Sequence, residues 1–144
     1  MRIAGRDYVF KLMSPEFLDS LFNVRKQYFL RGEPSEIGRN KTAFFVAKFK
    51  KDPSYKRYML VGQARVKDVS RIRPTDNNHA FAAENGWNFV IDLEDLKKFP
   101  TSIPSEEIFP ESTLKKFNGQ RPFGVELSPE ESRTVKEKIS NVGY

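Results

Sequence analysis

The residues able to do chemistry in this chain are few, and their scarcity narrows what it can do. There is no Cys and one His, His79. A disulfide framework, a thiolate nucleophile and a Cys-ligated zinc are therefore excluded, and a Ser-His-Asp arrangement or a His-rich metal site would rest on a single ring. Asp76, Glu84 and Asp92 are too scattered along the chain to be assigned as an acid pair or a metal cluster. No metal, no cofactor and no catalytic group is expected. The chain is instead rich in aromatic rings and cations. Tyr28 and Phe29 form a large aromatic pair beside a charged stretch, where one ring can stack on a base or plug the core. Trp87, the only Trp, follows Asn85-Gly86, a place that suits a pocket wall as well as a core strand. Phe81 and His79 precede it, and His79 with Asp76, Asn77 and Asn78 can hydrogen-bond a base edge or form an ordinary turn.

The cations carry a second signal. The formal net charge is +6, but residues 1–73 hold 17 Lys and Arg against 7 Asp and Glu, whereas residues 74–144 hold 8 against 12. A basic half facing a polyanion makes nucleic acid the natural partner, DNA or RNA. Arg31, Arg39, Lys41, Lys115, Lys116 and Arg121 flank the aromatic candidates and are expected, as a set, to contact phosphates. Lys50, Lys51, Lys56 and Arg57 are as basic, and solubilising a turn or protecting a sheet edge explains them equally well. No apolar run approaches the length of a membrane span and the first residues lack a signal-type apolar segment, so a cytoplasmic protein with no membrane partner is expected.

The elements that must position these residues centre on Ala43–Val66. Phe44 to Ala47 is apolar on both faces of an alternating pattern, which a strand tolerates only when each side is covered. After the turn at Asp52-Pro53-Ser54, Leu60, Gly62, Ala64 and Val66 alternate with Met59, Val61, Gln63 and Arg65. The result is a β-hairpin through the middle of the fold. Before it, Asp7 to Leu12 reads as a strand, and Ser14-Pro15 opens a helix with Phe17, Leu18, Leu21 and Phe22 on one face, ending near Arg25-Lys26. Residues 27–42 read as a loop. After the hairpin, Lys67 to Arg73 continues the second strand or bends away, and Thr75 to Gly86 is a second long loop of the kind that carries function. A strand from Trp87 to Asp92, a helical turn at Leu93 to Lys98 and an irregular stretch with prolines at 100, 104 and 110 come next. Ile103, Ile108, Phe109 and Leu114 tack that stretch down. An edge strand within Arg121 to Leu127 and a capping box at Ser128-Pro129-Glu130-Glu131 lead into a last helix with Val135, Ile139 and Val142 inward. This order predicts one α+β domain over residues 1–144, a small curled mixed sheet or pseudo-barrel flanked by two or three helices.

Phe-Phe-Val-Ala-Lys-Phe with Leu-Val-Gly-Gln-Ala, then Trp-Asn-Phe-Val-Ile-Asp-Leu-Glu-Asp-Leu, then Phe-Asn-Gly-Gln-Arg-Pro-Phe-Gly-Val-Glu-Leu-Ser-Pro-Glu-Glu together resemble, in order and spacing, the PUA-like superfamily and its EVE and YTH branches. The resemblance covers most of the chain. It implies a non-catalytic module that flips a modified, methylated base out of DNA into an aromatic pocket. Similar domains precede the motor of archaeal McrB-type restriction systems, which implies fusion to, or action with, an NTP-driven motor and a nuclease. The alternative it implies is a PUA-like RNA-binding domain reading a modified or single-stranded base. A small hydrolase of the related ASCH type would need an acid cluster or a Lys-Thr-Glu-like set. By the same resemblance, one cage aromatic follows the first helix, here Tyr28-Phe29 where the YTH branch has Trp. Another comes from the loop after the central strands, here the region of Phe81 to Trp87.

Overall fold

The computed structural model describes residues 7–12, 27–30, 41–48, 58–75, 79–84, 86–117 and 124–144. The strands are β1 (Tyr8–Leu12), β2 (Gln27–Leu30), β3 (Thr42–Lys48), β4 (Tyr58–Arg71), β5 (Phe89–Pro104) and β6 (Gly124–Glu126). The helices among the described residues are α1 (His79–Glu84), α2 (Ser105–Ile108), α3 (Glu111–Phe117) and α4 (Pro129–Val142). All six strands join one mixed sheet in the order β2-β5-β4-β3-β1-β6. The β3–β4 hairpin is at its centre, β1 runs parallel to β3, and the other pairings are antiparallel. The helix expected after Ser14-Pro15 falls outside the described residues.

The double-sided apolar run of β3 has the cover it requires. Phe44 and Val46 lie in a cluster with Phe99, Ile103, Ile108, Phe109, Leu114, Val135 and Ile139, so α2, α3 and α4 cover that face. Phe45 and Ala47 point the other way, into a second cluster with Phe10, Tyr28, Val61, Ala64, Val66 and Ile91. All four β3 residues are fully buried.

The stretch read as irregular around prolines 100, 104 and 110 is strand to Pro104 and then α2 and α3, and the structure differs from the sequence reading in five further places. The β3–β4 ladder slips between Phe45 and Val46, which pair with Gly62 and Leu60 and leave Val61 as an extra residue. This bulge turns Leu60 to the helix side and puts Val61 on the same face as Ala64 and Val66, so the alternation read along β4 breaks there. The expected helical turn at Leu93 to Lys98 is strand. A second slip, between Gln63 and Arg65, sets Ala64 against both Asp95 and Leu96. It brings Leu93 and Leu96, three residues apart, to one face, and in the sequence that spacing imitates a helix. Asp95 takes the left-handed conformation with φ 52°, and Arg65 holds it there with ion pairs of 3.0 Å to Glu94 and 2.8 Å to Asp95. Third, the loop expected at Thr75 to Gly86 contains α1, where Ala80, Ala82 and Ala83 supply helix propensity and Gly86, at φ 71°, follows its end. Fourth, Tyr28 and Phe29 belong to β2 rather than to a loop. Last, Val142 is 50% exposed, because the last buried contact of α4 is at Ile139 and Gly143 turns the chain away in a left-handed cap.

Pro100 sits where the β4–β5 ladder is open. Leu60 pairs with Ile103 and Gly62 with Lys98, so no ladder bond needs the missing N–H. The Tyr144 hydroxyl fills part of that gap, accepting from Thr101 N at 3.1 Å and donating to Thr101 O at 3.3 Å.

Candidate nucleic-acid interface

The sheet curls until its two sides meet. β2 and β1 are separated in the sheet by β5, β4 and β3, yet the Tyr28 ring lies 4.6 Å from that of Phe10 and 6.0 Å from that of Phe45. The Tyr28 hydroxyl donates to Lys11 O at 2.9 Å. Tyr28 is 8% exposed, and burial pushes its phenol pKa well up. Its ring and hydroxyl thus close the curl from inside and make the back wall of an aromatic concave face shared with Tyr8, Phe10 and Phe45.

Beyond β3, the β4–β5 pair runs on as an overhang, with β2 along its outer side. Gln27, Tyr28, Phe29 and Leu30 pair with Asp92, Ile91, Val90 and Phe89, while Val69 and Arg71 pair with Ile91 and Phe89. Alternation therefore continues the concave face outward from Val69–Ile91–Tyr28 to Arg71–Phe89. Phe89 is half-buried against the concave cluster and Arg71 is exposed. The Arg71 guanidinium carbon lies 5.9 Å from the centre of the Phe89 ring.

The other face of the overhang carries α1. Ala82 and Val90 are buried together, with Ile72 and Trp87 packed against them. Trp87 N donates to Ala82 O at 2.9 Å and Ile72 N to Asn88 O at 2.8 Å, so helix, turn and strand start form one unit.

A third region joins α4 to the strands. Asp7, 7% exposed, accepts from Thr42 N at 2.7 Å and from the Ser132 hydroxyl, and its Oδ2 lies 3.0 Å from Lys136 Nζ. Burial alone would raise its pKa, but the bonds from Ser132, Thr42 and Lys136 hold it below the ordinary value. Glu131 accepts from the hydroxyls of Ser112 at 2.8 Å and Thr113 at 2.5 Å, and from Ser128 N at 2.9 Å, completing the expected capping box. Both acids are occupied by structure. Among the described residues no three His, Asp or Glu side chains gather as metal ligands.

A comparison of the sequence with protein-family models and with curated proteins gives no match. Solved structures do match. The ASCH protein of Zymomonas mobilis superposes with a TM-score of 0.62 at 12% identity, over 92% of this chain and 94% of that one. The N-terminal domain of Thermococcus gammatolerans McrB, bound to m5C DNA, gives 0.61 at 9% identity, over 95% and 98%. The N-terminal domain of Staphylothermus marinus McrB gives 0.58 at 9%, over 95% and 97%. The fold is PUA-like.

Within this PUA-like half-barrel the aromatic candidates divide between two faces. Tyr28 lines the concave side, whereas Trp87 packs with α1 on the other, and His79 is half-buried at the start of α1. Phe29 occupies the register position opposite Val90, and Phe81 lies within α1. Tyr28 and Trp87 thus do not face one another across a single cage, and Asp76 is outside the described residues. Of the cations, Lys41 is half-buried beside Thr42, and its carbonyl accepts from Val66 N at 2.8 Å. Lys115 is exposed on α3, 3.9 Å from Glu111, and Lys116 follows it in that helix. Arg31, Arg39 and Arg121 are outside the described residues. Sequence reasoning singled out neither Arg71 nor Phe89. The signal is a basic residue at the apolar register of β4, and it shows only once the pairing with β5, which slips between Val66 and Asp68, is known. Among the described residues no helix is long and apolar enough to cross a membrane.

Proposed function

We propose that this domain is a non-catalytic reader of a modified, methylated base in DNA. It takes the base, flipped from the duplex, at the open end of its concave face. The observation that carries the reading is the graded concave wall: buried Tyr28 in one row, then half-buried Phe89 and exposed Arg71 paired in the next same-face row. A flipped base gives up pairing and stacking worth a few kcal/mol, and stacking on an aromatic returns roughly 1–3 kcal/mol. A methyl group that gains apolar contact in such a site tilts that balance. The likeness of the fold to an McrB N-terminal domain bound to m5C DNA supports the same reading. So does the basic first half of the chain. Trp87 and His79 contribute from the α1 side of the overhang, Phe29, Phe81 and Asp76 complete the base-contacting set, and Arg31, Arg39, Lys41, Lys115, Lys116 and Arg121 supply the phosphate-contacting rim. In the cytoplasm the domain targets a motor and nuclease of a restriction system to modified DNA. The test is equilibrium binding to matched duplexes that are unmodified, hemimethylated or fully methylated at cytosine or adenine, with single-stranded RNA of the same sequence. Tighter binding of one methylated duplex is expected. Equal binding of all duplexes, or preference for RNA, overturns the reading, the second in favour of an RNA-binding domain.

A further inference from the structure

We propose that Arg71, held over Phe89 at the open end of the concave face, binds the phosphate of the nucleotide whose base enters the curl; this rests on the DNA-reading function above. Arg71 and Phe89 are a cross-strand pair one same-face step, about 7 Å, beyond the row of half-buried Val69 and buried Ile91. At 5.9 Å from the ring centre the guanidinium is within cation–π reach. Such a contact restricts the side chain before any ligand arrives, so less rotamer freedom is lost on binding. Its charge is also available. Arg65, further along the same strand, is neutralised by Glu94 and Asp95, whereas no carboxylate among the described residues pairs with Arg71. The nearest acids on the ladder, Asp68 and Asp92, are opposite each other at registers that alternate to the other face, and Asp92 accepts from Gln27 at 2.8 Å. An exposed guanidinium beside a ring presents N–H donors that match a phosphate, which accepts two parallel hydrogen bonds. The spacing between the exposed guanidinium and the half-buried ring then sorts a nucleotide into its two parts, phosphate outside and base inside.

The test measures affinity for methylated and unmodified duplexes over a range of salt. Arg71→Gln is expected to weaken both roughly tenfold at low salt and to lower the slope of log K against log salt by about 0.9, the value for one phosphate. Arg71→Lys should keep the slope, because the charge remains, and lose part of the affinity with the fork. Phe89→Leu keeps apolar cover and frees the guanidinium, so affinity should fall with the slope intact. Lys138→Gln removes an exposed charge from α4 and serves as the control, with slope and affinity unchanged. An Arg71→Gln protein with the wild-type slope, or one that changes no more than Lys138→Gln, overturns this inference alone. Wild-type protein that binds no nucleic acid overturns the functional reading and this inference with it.

Discussion

Where α4 meets the strands, each buried charge is met. Asp7 receives Thr42 N, the Ser132 hydroxyl and Lys136, and Glu131 receives Ser112, Thr113 and the backbone of its own cap. Along the overhang of β4 and β5, aromatic rings are left half-buried and an arginine stands in solvent with only a ring beneath it. Desolvation explains the contrast. A buried carboxylate without partners costs several kcal/mol, so the junction admits acids only with their hydrogen bonds complete. The overhang stays wet, where an exposed charge such as that of Arg71 keeps its hydration without a carboxylate partner. On the proposed function, stability and recognition fall to different residues, and substitutions should separate them.

The largest effect should come from the wall that both regions share. Phe10 is fully buried between Tyr28, Phe45 and Tyr8, and Phe10→Ala should cost about 3–5 kcal/mol in denaturant unfolding. Glu131→Ala comes next. It leaves two hydroxyls and a backbone N–H at a helix start without their acceptor, a loss of about 2–3 kcal/mol, while affinity for DNA measured well below the melting temperature should not change. If that affinity falls with stability intact, the junction is part of the interface and the division fails. Acid should act on the same junction. Because the folded pKa of Asp7 is depressed below 3.8, its contribution is full above that value and is lost as pH falls through the lower folded pKa. Unfolding midpoints followed into acid should show this limb in the wild type and a flatter one in Asp7→Asn. The smallest effect is expected of Tyr28→Phe. The ring contacts remain and one hydrogen bond to Lys11 O is lost, about 1 kcal/mol, with no change in preference for methylated DNA.

The same contrast explains what the sequence discloses. Binary patterning located β1, β3 and β4 because Phe44 to Ala47 and their neighbours obey a period of two, and Ser128 with Glu131 announced α4 through local chemistry alone. The bulges were hidden. Val61 with Ala64, and Leu93 with Leu96, are three residues apart on one face only because β4 and β5 each gain a residue against the partner, which depends on the pairing and not on the segment. Tyr28 was legible as an unusual aromatic but not as the closure of the curl, since its partners Phe10 and Lys11 lie 18 and 17 residues away in sequence. The division of Tyr28 and Trp87 between two faces likewise needs the β2–β5 register. Arg71 looked like any surface cation until Phe89 was set opposite it.

The most direct test of separate affinity and specificity is the ratio of affinities for methylated and unmodified duplex as salt is raised. Phosphate contacts are common to both ligands and fall together with log salt, whereas contact between a base and apolar walls is not screened. The account predicts that both affinities drop along parallel lines and that their ratio stays constant above one. A ratio that falls to one as salt rises would place the discrimination in the charges, and an affinity indifferent to salt would remove the cationic rim from the interface.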